Sequence, residues 1–77
     1  MINVKDILKM RSGMPVLVCD LFDDNVVTNK LKTDVGVFSK SDFSVGTVTA
    51  CFSPVSSRTI LLRTKRDCSG IKKIEFV

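Results

Sequence analysis

Arg58-Thr59-Ile60-Leu61-Leu62-Arg63-Thr64-Lys65-Arg66-Asp67-Cys68-Ser69-Gly70-Ile71-Lys72-Lys73-Ile74-Glu75-Phe76-Val77 carries the clearest strand pattern in this 77-residue chain. Apolar residues alternate with polar ones on both sides of Cys68-Ser69-Gly70. The stretch reads as a β-hairpin with a three-residue loop, closed by Gly70 in the left-handed conformation. In that register Leu62 faces Phe76, Thr64 faces Ile74 and Arg63 faces Glu75. Ile60, Leu62, Ile74 and Phe76 then share an apolar face, while Arg63, Lys65 and Lys73 line the other. A four-residue loop would set Leu62 against Glu75 and mix the two faces. A one-residue slip sends every side chain to the wrong side, so the three-residue loop is preferred.

The same stretch carries the net charge. Residues 58–77 hold six Lys/Arg against two Asp/Glu, and residues 1–57 hold six of each, so the whole +4 falls in the last twenty positions. Arg63, Lys65 and Lys73 on one face, with Arg66 and Lys72 flanking the tip, make a basic ribbon over 58–73. Cations at that spacing can follow a phosphate backbone. They also keep an outward sheet face wet, and Glu75 opposite Arg63 fits that plainer role. With no Tyr or Trp and the Phe residues on strands, a stacking platform for single strands has little support.

Working back from the hairpin, Ser53-Pro54-Val55-Ser56-Ser57 reads as a loop, and Phe43 to Phe52 as a strand with Gly46 near its middle. Ser39-Lys40-Ser41-Asp42 is a polar connection. Leu31, Thr33, Val35 and Val37 alternate against Lys30, Lys32 and Asp34 as one strand, in which Gly36 marks a bulge or bend. Val26-Val27 starts a strand that Asn29 interrupts, and Asp23-Asp24-Asn25 forms a turn. Val16 to Phe22 is nearly continuous apolar sequence, as a central strand should be.

Residues 3–12 read as a short helix: Asn3 caps, Asp6 favours the first turn, and Val4, Ile7 and Leu8 form a narrow stripe. Gly13 and Met14-Pro15 end it. The expected architecture is mainly β: one small domain over 1–77, with a helix at 3–12 and a five-stranded barrel over 16–77. The short turns and the gap between the third and fourth strands favour an SH3-like or translation-factor-like barrel over an OB-fold.

Composition narrows the function. No His is present, which removes the commonest general base and metal ligand. No nucleotide-binding glycine motif, serine elbow or Cys-x-x-Cys pair occurs, so no catalytic residue, cofactor or metal site is assigned. Asp20, Asp23 and Asp24 make an acidic corner whose spacing matches no calcium loop; it reads as a solvated turn, or as a surface that could meet the basic hairpin of a second copy. Three cysteines cannot all pair within one chain, and Cys19 and Cys51 fall on strands. Cys68 reads as an exposed turn thiol beside cations. With no apolar run long enough to cross a bilayer and no signal-peptide pattern, a reducing cytoplasm is expected.

Two functions remain. The first is a non-enzymatic protein-interaction module or accessory subunit, pairing with a partner or its own copy through an edge strand ending at Val77. The other is a nucleic-acid-binding barrel that contacts phosphates with Arg63, Lys65, Arg66, Lys72 and Lys73.

Overall fold

The computed structural model describes residues 1–47 and 57–77. Strands run over Ile2–Lys9 (β1), Pro15–Asp20 (β2), Lys30–Thr33 (β3), Gly36–Ser39 (β4), Phe43–Thr47 (β5), Ser57–Leu62 (β6) and Lys73–Phe76 (β7). Short 3₁₀ turns cover Asp24–Val26 and Lys40–Asp42. The strands form one antiparallel sheet in the order β4-β3-β7-β1-β2-β6-β5.

The order itself demands curvature. Seven strands laid flat span about 29 Å from first to last. Yet β4 and β5, at the two ends, are joined only by Lys40–Asp42, a link that reaches at most about 14 Å. The sheet therefore curls until its ends approach, giving a nearly closed barrel. Next to that link the Arg63 amide donates to the Asp42 carbonyl at 2.8 Å, carrying the β5–β6 ladder one step further.

The inward faces of all the strands meet in one core. Leu17, Cys19, Leu31, Phe38, Phe43, Ile60, Leu62 and Ile74 are buried there, with Ile2, Val4, Ile7 and Phe76 packed against them. The ring centroids of Phe43 and Phe76 lie 6.0 Å apart, and those of Phe76 and Phe22 5.5 Å apart. This burial is the main stabilising term, since the polar backbone is satisfied wherever strands pair.

Several expectations change. Residues 2–9 form a strand, not a helix, and it belongs to the barrel. The ladder with β2 pairs Val4 with Cys19 but Asp6 with Val18, so Lys5 is a bulge. Half-buried positions consequently fall at 2, 4 and 7, and the three-residue step from Val4 to Ile7 imitates a helical stripe. Seven strands are described where five were expected. The Leu31–Val37 segment is a tight hairpin: Thr33 pairs with Gly36, whose φ of 137° only glycine adopts readily. Val26 ends a 3₁₀ turn and does not start a strand. The expected strand over 43–52 is described to Thr47; its remainder, with Cys51, Phe52 and most of the 53–57 loop, lies outside the described residues.

The carboxyl-terminal hairpin is also replaced. β6 pairs with β2 and β5, and β7 with β1 and β3, so two strands separate the expected partners. That gap of about 14 Å is the full stretch of a three-residue loop, which leaves it no residue with which to turn. Arg63–Lys72 crosses it instead, over one end of the barrel. Cys68 and Ile71 are buried in this segment and close that end, and Gly70 does not take a positive φ. Being paired on both sides, β7 is no edge strand; the sheet ends at β4 and β5.

Candidate functional site

The cations expected to form one row are divided by this topology. Arg63 turns back onto the link before β5, where Nη1 donates to the carbonyls of Ser41 at 2.9 Å and Phe43 at 3.3 Å, and Nη2 to Ser44 Oγ at 3.3 Å. Arg66 Nη1 donates to the Val35 carbonyl at 3.1 Å, tying the crossing segment to the β3–β4 turn. Lys72 contributes backbone bonds, its amide to Asp34 Oδ2 at 3.0 Å and its carbonyl to the Val4 amide at 2.8 Å. Lys73 lies on β7 opposite Asn3, in a hollow shared with Lys32, Asp34 and Glu75. Glu75 stands opposite Lys32, not Arg63. Lys65 sits by Ser12 and Met14 of the β1–β2 turn. Arg63 lines the same hollow as Lys65, but Lys73 stands on β7, with two strands between it and β6, so the row of three on one hairpin face does not form.

Lys65 and Arg66 are nevertheless joined by cations that the linear reading left out. β1 and β6 both end where β2 begins, because Lys9 pairs with Pro15 and Leu61 with Val16. The β1–β2 turn and the crossing segment share that end, and with them Lys9, Arg11, Lys65 and Arg66, all exposed. Asp67 lies among them. Its carboxyl is held below the usual range, first by the Ser69 amide, which donates at 3.0 Å, with Lys9 assisting.

The opposite end is acidic and apolar. Asp20 pairs with Lys5 at 3.5 Å, and Asp24 with Arg58 at 2.6 Å. Arg58 lies over the Phe22 ring at 4.7 Å, and its Nη1 also donates to the Phe22 carbonyl at 3.2 Å. Asp20 and Glu75 rim a cleft of roughly 380 Å³ floored by Phe22 and Phe76. Its apolar walls are open to solvent: Met1 is 86%, Leu21 59% and Val26 44% exposed. Sequence reading missed this cleft, because Met1 and Phe76 are far in the chain from Leu21 and Val26 and only the barrel gathers them. The signal available was Leu21-Phe22, an apolar pair lying between carboxylates just past the end of a strand.

The thiols are quiet. Burial pushes Cys19 up to about 11, with Asp20 adding to the effect. Cys68 is only 1% exposed, contrary to the expected surface thiol. Burial and then Asp67 raise its pKa, and Arg66 and Lys9 oppose them without reversing the direction. Both thiols are free. Among the described residues no group of three His, Cys, Asp or Glu stands close enough to hold a metal ion, and no helix is long and apolar enough to cross a membrane.

Comparison with protein-family models, with curated proteins and with solved structures yields no match to this chain. The fold and its two unlike ends define the molecule as a small antiparallel β-barrel, and its chemistry must be read from those ends.

Proposed function

We propose that this chain is a small non-enzymatic binding module of the cytoplasm whose partner is a protein, held in the cleft between β1, the segment after β2, and β7. One observation carries the reading: three exposed apolar side chains, Met1, Leu21 and Val26, converge over two half-buried phenylalanines inside a rim of carboxylates. An apolar centre with a polar rim is the usual make-up of a protein interface, and a soluble chain rarely leaves such a cluster uncovered. Asp20 and Glu75 around the cleft select a partner that offers apolar side chains flanked by cations. The long first strand, bent at a bulge so as to serve two sides of the barrel, supports the SH3-like likeness.

A photo-crosslinking residue placed at Leu21 tests this. It should capture a protein from the native cell that the same residue at Val37, an exposed position on β4, does not. Leu21→Asp with Val26→Asp should abolish the capture and leave the unfolding temperature unchanged. Equal capture from both positions would sink the proposal.

A second reading is favoured by the grouping of Lys9, Arg11, Lys65 and Arg66 at one end, which suits a phosphate backbone. Four such contacts give a slope of roughly −3 to −4 in log affinity against log salt for duplex DNA. Binding indifferent to salt would remove it.

A further inference from the structure

Cations that stand clear of carboxylates have charge to spare for a ligand. Among the described residues the ion pairs join Lys5 to Asp20 and Arg58 to Asp24, and the hollow that holds Lys32 and Lys73 also holds Asp34 and Glu75. The hollow between the β1–β2 turn and the start of the crossing segment differs. It measures roughly 330 Å³ and is lined by Ser12, Met14, Arg63, Thr64 and Lys65, with no carboxylate among them. The acidic groups nearest in the fold are engaged elsewhere. Asp67 accepts the Ser69 amide at 3.0 Å, Asp34 the Lys72 amide at 3.0 Å, and Asp42 the Ser39 hydroxyl at 2.8 Å.

The donors of this hollow are fixed in advance. The three acceptors of Arg63 are neutral oxygens, which hold the guanidinium without cancelling its charge. Thr64 Oγ1 accepts the Arg66 amide at 3.1 Å, setting Lys65 within a turn. Ser12 sits in a tight turn, where the Gly13 amide donates to the Met10 carbonyl at 2.9 Å and the Met10 amide to the Met14 carbonyl at 3.0 Å. Among the described residues the amides of Ser12, Thr64 and Lys65 donate to no protein acceptor, and the Lys65 ammonium has no partner. Cations, hydroxyls and unpaired amides without a carboxylate are the set that receives phosphate oxygens. The hollow on the other side of Arg63 holds Lys40 but is walled by Val27, Phe43 and Val45, and its Thr28 hydroxyl is spent on the Lys30 and Val77 carbonyls.

We propose that the Ser12–Thr64–Lys65 hollow is an oxyanion site for a phosphate group. Lys65 and Arg63 supply the charge, and Ser12 and Thr64 hydrogen-bond the oxygens. The site shares no residue with the apolar cleft. It deepens the phosphate-backbone reading and rests on it only for the source of the phosphate, a nucleic-acid backbone or a free ion. Lys9, Arg11 and Arg66, exposed at the same end, add long-range attraction for either.

Amide NMR of the full chain, titrated with inorganic phosphate at constant ionic strength, tests this, and thermal unfolding checks the fold of each variant. The signals of Ser12, Thr64 and Lys65 should shift together and saturate with a Kd of about 1–5 mM. Lys65→Gln with Ser12→Ala should raise that Kd at least about fivefold. Lys32→Gln with Lys73→Gln removes one charge more, from the hollow that holds carboxylates, and should leave the Kd within about twofold. A short DNA duplex forms the second arm. If the site takes a backbone phosphate, the duplex should shift the same three amides at about 10–100 μM. Saturable phosphate shifts with duplex binding no tighter would support the site with a free phosphate as its ligand and remove the backbone reading. Duplex binding that leaves Ser12, Thr64 and Lys65 unmoved would overturn the site and leave the backbone reading to Lys9, Arg11 and Arg66. Phosphate shifts that spread over all surface lysines without saturating overturn the proposal, as does a Kd unchanged in Lys65→Gln with Ser12→Ala.

Discussion

Ile2 of β1 lies directly across the ladder from Ile74 of β7. Two residues further on, the Val4 amide donates to the Lys72 carbonyl on that same side at 2.8 Å, and Val4 pairs with Cys19 of β2 on the other. One strand thus holds a neighbour on each side, β7 at its start and β2 along most of its length, and it bends at the bulge at Lys5. This bend brings Met1 and Ile2 alongside Leu21 and Phe76 and so builds one wall of the cleft.

The bulge gives the first prediction. Deleting Lys5 leaves Ile2, Val4 and Ile7 on one face in regular alternation and keeps the partners of Val4 and Ile7 on β2. It removes the bend without turning the strand over and should cost about 1–3 kcal/mol. Lys5→Ala keeps the register and removes mainly a half-exposed pair with Asp20, at a cost of about 0.5 kcal/mol. Urea midpoints compare the two, and similar values would show that the bend at Lys5 adds nothing to the fold.

Glycine positions offer a matched test. Gly36 has φ of 137° and Gly70 does not take a positive φ. Gly36→Ala should therefore destabilise by about 1–3 kcal/mol, while Gly70→Ala, facing open space, should change stability by less than about 0.5 kcal/mol. A carboxyl-terminal hairpin closed by Gly70 would reverse that order.

Arg63 is expected to act on the fold. Its guanidinium ties the end of β6 to the Lys40–Asp42 link and to β5 through the carbonyls of Ser41 and Phe43. Arg63→Ala should lower stability by about 1–2 kcal/mol, and Lys65→Ala should leave it unchanged within about 0.5 kcal/mol. Equal, small effects from both would return Arg63 to the surface-charge role.

Alkaline pH should weaken the fold through Cys19. Its pKa rises from 9.0 to about 11 because burial disfavours the thiolate. The folded chain keeps this proton to higher pH than the unfolded chain does. Its stabilising effect is thus whole below pH 9 and is lost as pH climbs towards 11, by about 2 kcal/mol in total. Cys68 shifts in the same direction. Urea midpoints at pH 8 and 10 should fall less in Cys19→Ala than in the natural chain; parallel falls would rule out the thiol.

The alternation of Ile60, Leu62, Ile74 and Phe76 determined which way those side chains point, and it did so although the expected hairpin does not form. Inside a barrel every strand turns its apolar residues to the same interior, so sidedness follows from local pattern whichever neighbour lies beside it. Partner choice is different. It depends on where the chain crosses the barrel, and ten residues from Arg63 to Lys72 decide that by burying Cys68 and Ile71. The helix expected over residues 3–12 fails for a related reason, since a bulge turns a period of two into an apparent three. Charge shows the same division. Composition alone placed an excess of cations near the carboxyl end. Only the closed sheet brought Lys65 and Arg66 to Lys9 and Arg11, and set Met1, Leu21 and Val26 at the far end, because distance in space follows from strand order and not from distance along the chain.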